Sequence, residues 1–144
     1  MKKITLFSDG SALGNPGPGG YGVILRFEDK EREISGAEAH TTNNRMELLG
    51  VIEGLRALKE PCIVDVVSDS SYVVKGINEW LDGWIKRDFK KVKNPDLWSE
   101  YIAVSKIHRV TAIWVRGHDG HIENERCDIL AKSQAERIRE ENRG

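Results

Sequence analysis

The spacing between apolar segments changes partway along this chain, and that change limits the folds open to it. Lys3–Ser8, Tyr21–Glu28 and Glu31–Ala39 read as strands joined by turns, the last two around Asp29-Lys30. Beyond them, strand-like segments alternate with patterns of helical period. Asn43–Lys59 carries Leu48, Val51, Ile52, Leu55 and Leu58 at spacings of three and four, with Pro61 just past its end. Ile63–Ser68 is a short strand. Ser71–Trp84 is helical in pattern, with breaks near Gly76 and Gly83. Asn94-Pro95-Asp96 has the form of a helix start, and that helix runs to about Lys106. Arg109–Val115 is a strand, and Glu123 to about Arg139 a last helix with Cys127, Leu130, Ala131 and Ile138 on one stripe. The order β, β, β, α, β, α, α, β, α predicts an α/β fold. Its sheet is five-stranded and mixed, the first three strands antiparallel, the later ones joined by parallel crossovers, and helices pack on it.

Size and charge bound the rest. At 144 residues the chain is expected to form a single domain, residues 1–144. No apolar run approaches the roughly 18–20 residues of a membrane span. The N-terminus turns polar at Ser8, too early for a signal peptide, so a cytoplasmic protein is expected. Cys62 and Cys127 read as reduced, packed thiols. A net charge of −1 excludes bulk electrostatics as the whole basis of binding to a nucleic acid. Lys86–Lys93, however, gathers five cations and one anion in eight residues, a pattern of either a solvated face or a phosphate contact.

Four acids carry the candidate chemistry. Asp9 and Asp69 each follow an apolar strand in the local form Ser-Asp-x-Ser. If those strands are neighbours, both carboxylates leave the same end of the sheet, where ligands of open α/β sheets gather. Each also suits a simpler role, as turn former or helix cap. Glu47 fits a capping box with Asn44, and Asp128 sits at the border of the buried stripe of its helix. Converging, the four would repel one another unless cations neutralised them, and an all-oxygen site of that kind selects Mg²⁺ or Mn²⁺. Gly117-His118-Asp119-Gly120-His121 follows a strand. Two histidines at that spacing can bind zinc, but no further nitrogen or sulfur ligand lies nearby. A loop histidine beside a carboxylate cleft suits proton movement better.

Three long motifs carry a resemblance. They are Gly14-Asn15-Pro16-Gly17-Pro18-Gly19-Gly20-Tyr21-Gly22, Thr41-Thr42-Asn43-Asn44-Arg45-Met46-Glu47-Leu48, and Gly117-His118-x-Gly120-His121-x-Glu123-Asn124-Glu125-Arg126-Cys127-Asp128. In order and spacing they resemble bacterial ribonuclease H of type 1, over essentially the whole chain. The resemblance implies the ribonuclease H-like fold, with helices on both faces of the sheet. It implies endonucleolytic cutting of the RNA strand of RNA–DNA hybrids to 5′-phosphate and 3′-hydroxyl ends, in the removal of RNA primers and R-loops. Asp9, Glu47, Asp69 and Asp128 match the family's metal-binding carboxylates, with Asp9 and Asp69 most central, and His118 matches its catalytic loop histidine. Two Mg²⁺ ions, with Mn²⁺ able to substitute, would clamp the displacement roughly 3.5–4 Å apart.

The same resemblance assigns hybrid contacts. Asn15, Asn43 and Asn44 match minor-groove residues, Thr42 and Asn94 a DNA-phosphate pocket, and Tyr72 and Trp80 aromatics along the DNA groove. Trp80 is equally suited to core packing, and Trp84 to packing beneath the basic segment. Lys86, Arg87, Lys90 and Lys91 match the family's basic protrusion, where phosphate contacts add salt-sensitive affinity. Three positions depart from the pattern. The segment from Lys86 to Asn94 is shorter, His40 stands where many members carry Arg, and Ser71 stands where a Gln is frequent. A monomer is expected, with no hybrid-binding domain ahead of Met1, and recruitment by single-strand DNA-binding protein is the protein partner the resemblance allows. A junction resolvase on the same fold would share the acids but not the asparagine set. A binding module without catalysis would tolerate loss of an acid, yet all four are present.

Overall fold

The computed structural model describes residues 1–117 and 120–143. Five strands form one sheet: β1 Lys2–Ala12, β2 Gly17–Phe27, β3 Lys30–Thr41, β4 Cys62–Ser68 and β5 Arg109–Trp114. Their spatial order is β3-β2-β1-β4-β5. β1 and β2, and β2 and β3, run antiparallel, while β4 lies parallel to both β1 and β5. The mixed sheet expected from the spacing is therefore present, and β1 at its centre carries both kinds of pairing.

The helices are α1 Asn43–Arg56, α2 Ser71–Lys75, α3 Leu81–Lys86, α4 Pro95–Ser105 and α5 Ile122–Arg143. Alternation along β1 and β2 separates the two faces. Leu6 and Val23 join the main core with Leu48, Val51, Ile52 and Leu55 of α1 and Leu97, Trp98 and Tyr101 of α4. Phe7 and Ile24 point the other way and pack with Cys127 of α5. Both cysteines are buried and free. Among the described residues, no helix is long and apolar enough to cross a membrane.

Several boundaries differ from expectation for identifiable reasons. The glycine-rich stretch reads as a loop from Asp9 to Gly20, but only residues 13–16 lie between strands. Asp9 pairs with Gly22 inside the ladder. Gly20 and Gly22 of β2 reflect helix approach rather than a turn. A Cβ on Gly22 would stand 2.5 Å from the Cys127 carbonyl oxygen, and one on Gly20 would meet the Ala131 carbonyl. Only a bare strand lets α5 lie this close. α1 stops at Arg56 rather than Lys59, with Ala57 as its C-cap. The segment Ser71–Trp84 is not one helix broken twice: α2 gives way at Gly76 to a π-helical turn, Gly76–Trp80, and α3 then continues through Gly83.

The close approach of α5 makes a direct prediction. Gly22→Ala lowers stability by about 1–3 kcal/mol through overpacking, whereas Gly83→Ala, where a Cβ meets nothing within 4 Å, stabilises by about 0.5–1 kcal/mol. Urea titration of both variants checks the pair.

Candidate active site

The site begins with the central strand. β1 extends past its pairing with β4 and carries Asp9 along the β2 ladder, on the same strand face as Phe7. β4 ends at Ser68, and Asp69 follows at once. Because β1 and β4 are parallel neighbours, both acids leave the same end of the sheet. α1 brings Glu47 to that end from one face. Its N-cap is Thr42, whose hydroxyl accepts from the Arg45 N–H at 3.2 Å, so Glu47 lies beyond the capping-box position and its carboxylate does not reach back to a cap. It meets Asp9 instead.

Carboxylate oxygens of Asp9, Glu47 and Asp69 lie within 4.8 Å of one another. Asp9 is 7% exposed, and Glu47 Oε2 is buried with no hydrogen-bond partner among the described residues. Burial is the main force raising both pKa values. Asp9 is pushed up to about 7, with repulsion from Asp69 and Asp128 adding to burial and a hydrogen bond from Glu47 opposing it. Glu47 is raised well above the ordinary glutamate range by burial and then by Asp9. Crowding two buried carboxyls thus disfavours charge on both. The Gly10 N–H donates to Asp9 Oδ1 at 3.0 Å.

The trio opens into a cleft of about 490 Å³, which Asn43, Asn44, Ser71, Tyr72, Asp128 and Lys132 also line. Asp128 is half-buried, and Lys132 one turn along α5 stands 3.0 Å from its Oδ2. Sequence reasoning missed Lys132, although its i,i+4 spacing from Asp128 was the available signal. His118 lies outside the described residues.

A second depression, also about 490 Å³, is lined by Asn15, Thr42, Asn43, Asn44, Lys93 and Asn94. Asn15 and Asn43 tie the loop at residues 13–16 to α1: Asn15 Oδ1 accepts from the Asn43 N–H at 3.3 Å, and Asn43 Oδ1 accepts from the Ala12 N–H at 2.6 Å. His40 is exposed and does not line this depression; Lys93 does. Asn94 is the N-cap of α4 in position only. Its φ is 57° and its side chain makes no cap bond. The amide oxygen accepts from Arg45 Nη1 at 3.1 Å, and its nitrogen donates to the Tyr72 hydroxyl at 3.1 Å. Asp96, part of the expected helix-start pattern, forms a two-pronged pair with Arg45 at 3.0 and 2.7 Å.

Tyr72 is the hub between the two depressions. Its hydroxyl also accepts from the Trp98 indole at 2.9 Å, inside a row of rings running Tyr72, Trp98, Trp84, Trp80. Trp80 ends that row, 40% exposed, and lines neither depression. Trp84 packs between Trp80 and Trp98. Lys86, Arg87, Lys90 and Lys91 surround a third, separate hollow with Asp88. Positive φ at Asp88, Phe89 and Lys91 winds this stretch into tight turns.

Carboxylates from a strand, a strand end and two helices, meeting at one end of a 3-2-1-4-5 sheet, make an all-oxygen polar cleft suited to a hard cation rather than an apolar ligand pocket. The RNase H family model matches residues 1–136. The ribonuclease H of Sulfurovum sp. (strain NBC37-1) is 69% identical over 138 residues, covering 96% of this chain and 94% of the relative. The ribonuclease HI of Helicobacter pylori (strain ATCC 700392 / 26695) is 58% identical over 137 residues, covering 95% and 96%. Among solved structures, LC9-RNase H1, a type 1 RNase H with the type 2 active-site motif, is similar with a TM-score of 0.88 at 33% identity, covering 96% of this chain and 74% of that one. LC11-RNase H1, solved in complex with an RNA/DNA hybrid, shares the fold with a TM-score of 0.68 at 24% identity, covering 93% and 97%. The chain belongs to the RNase H family and is a ribonuclease H enzyme of the bacterial kind.

The raised Asp9 pKa fixes a sign. A carboxyl whose pKa rises from 3.8 to about 7 on folding binds its proton more tightly in the folded chain. Its contribution supports the fold at pH below 3.8 and is lost as pH rises through 7. In EDTA, wild-type stability therefore falls between pH 4 and 7 more steeply than that of Asp9→Asn, by about 1–4 kcal/mol in total; thermal melts across that range check it. Tyr72→Phe strands the buried Trp98 N–H and costs about 1–3 kcal/mol in the same assay.

Proposed function

We propose that the chain cuts the RNA strand of RNA–DNA hybrids as a metal-dependent endonuclease, leaving 5′-phosphate and 3′-hydroxyl ends. The observation that carries this reading is the donor set: three carboxylates within 4.8 Å, two of them buried, with one buried oxygen that has no partner among the described residues. Hard divalent cations with all-oxygen preferences fit such a set, and Mg²⁺, or Mn²⁺ in its place, suits it best. Asp9, Glu47, Asp69 and Asp128 would hold two such ions. Bound there, they supply an activated water and charge neutralisation for an in-line phosphodiester displacement. His118 is assigned to moving a proton in the loop beside the cleft.

The chain's own groups orient the hybrid. Asn43 and Asn44 border the carboxylate cleft, and Asn15 borders the neighbouring depression. Their amides suit the wide, shallow minor groove, where the 2′-hydroxyl marks the RNA strand. Thr42 and Asn94 share that neighbouring depression with Lys93 and suit a DNA phosphate, with Lys93 supplying the cation that His40 does not. The Tyr72 hydroxyl is occupied by Trp98 and Asn94, so Tyr72 serves the groove through its ring and by holding Asn94. Trp80, exposed at the end of the aromatic row, presents a flat face to the DNA strand. Lys86, Arg87, Lys90 and Lys91 add sequence-independent phosphate contacts. LC11-RNase H1, which shares this fold, was solved with an RNA/DNA hybrid. Removal of RNA primers and R-loops by a cytoplasmic, single-domain monomer follows from this reading. Recruitment by single-strand DNA-binding protein rests on the family resemblance alone.

A labelled hybrid tests the proposal. The RNA strand alone is cut in Mg²⁺, nothing is cut in EDTA, and Asp9→Asn abolishes cleavage while keeping the fold; cutting of duplex DNA, or an active Asp9→Asn, contradicts it. Replacing Lys86, Arg87, Lys90 and Lys91 together by Ala raises KM and flattens its salt dependence, the slope falling by about 0.7–0.9 for each phosphate that the basic stretch no longer neutralises.

A further inference from the structure

Asp69 is the one acid of the trio that no strand ladder or long helix holds, because it lies just past the last residue of β4. β5 supplies what the ladder lacks. Ser68 is in register with Trp114, and the Val115 N–H donates to the Ser68 carbonyl at 3.0 Å. The indole of Trp114 then turns back over the strand end and donates its N–H to the Asp69 carbonyl at 3.0 Å. Trp114 is 51% exposed and belongs to neither apolar core cluster, so core burial does not account for a tryptophan here. Its only polar side-chain atom is committed to the main chain of one acid.

Gly117 approaches the same residue from the other end. A Cβ there would stand 2.6 Å from Asp69 Oδ2 and 3.4 Å from its Cγ. The main chain after β5 is thus packed directly against the carboxylate. The φ of Gly117 is not in the left-handed region, so space at the carboxylate, rather than backbone conformation, requires glycine. On the residue after Asp69, the Ser70 N–H donates to Ser68 Oγ at 3.0 Å.

We propose that Trp114 and Gly117 are positioning residues for Asp69: the indole fixes the height of its main chain, and the glycine leaves the room in which its carboxylate faces Asp9 and Glu47. This inference rests on the reading of the trio as a divalent-cation site. The end of β5 and Gly117 thereby set the geometry of the acid that follows β4.

The test is metal binding by the free protein, read without substrate. Trp114→Phe keeps an aromatic ring and removes the N–H. Its affinity for Mn²⁺, measured by electron paramagnetic resonance, falls about threefold to tenfold, the worth of one hydrogen bond. At saturating Mg²⁺ its KM for hybrid is unchanged. Gly117→Ala, which displaces the carboxylate itself, loses at least as much affinity. In the wild type, the Trp114 indole ¹H–¹⁵N resonance moves on Mg²⁺ addition with the midpoint of metal binding, a readout available even if a variant fails to fold. Wild-type Mn²⁺ affinity in a folded Trp114→Phe, or an indole resonance unmoved at saturating Mg²⁺, overturns the inference while leaving the cation site standing. A wild-type protein that binds no Mn²⁺ overturns the cation site and this inference with it.

Discussion

Repulsion among Asp9, Glu47 and Asp69 is the constraint that the rest of the structure works against. Their oxygens lie within 4.8 Å of one another, and burial raises the pKa values of Asp9 and Glu47. Left to itself, a chain would swing such groups apart into water. Here each is fixed by an element that cannot move alone. Asp9 sits in the central strand, Glu47 in a helix whose apolar face fills the main core, and Asp69 just past β4, where the Trp114 indole holds its main-chain carbonyl. Core burial therefore supports an arrangement that electrostatics opposes. Protonation, which the raised pKa values favour, relieves it in part, and a cation of higher charge would relieve it further.

The residues proposed to meet the hybrid around the second depression are tied to this centre by polar contacts. Arg45 lies two residues before Glu47 and Tyr72 three after Asp69, and both grip Asn94. The second depression is thus held in register with the carboxylates through α1 and α2. The basic stretch from Lys86 to Lys91 is connected through tight turns, the row of aromatic rings and Phe89 packed against the main core.

The sheet was legible because its two connection lengths differ, and hairpin gaps and helical crossovers have few alternative topologies. The acids were legible in part. Asp9 and Asp69 reach one sheet end on the condition that their strands are neighbours, which the β1–β4 pairing meets, whereas Glu47 read equally well as a capping acid, since only the third dimension brings it to Asp9. The glycines of β2 up to Gly20 misled because a turn and a close helix contact ask for the same residue; nothing local distinguishes Gly20 beneath Ala131 from a glycine in a loop. Asn94, Pro95 and Asp96 marked the start of α4 correctly, but did not reveal that the Asn94 and Asp96 side chains serve Arg45, roughly fifty residues away. Lys132, Lys93, Arg45 and Trp114 escaped notice because a lone cation or indole has many uses, and only its partner reveals which one applies.

The central claim is that the three carboxylates and Asp128 form a cation site. Crystals of the protein grown in Mn²⁺, with anomalous scattering measured at the manganese edge, test it most directly. The account predicts anomalous peaks between Asp9, Glu47, Asp69 and Asp128, with Glu47 Oε2 as a ligand. An ordered, correctly folded crystal with no peak in that cleft at saturating Mn²⁺ would contradict it.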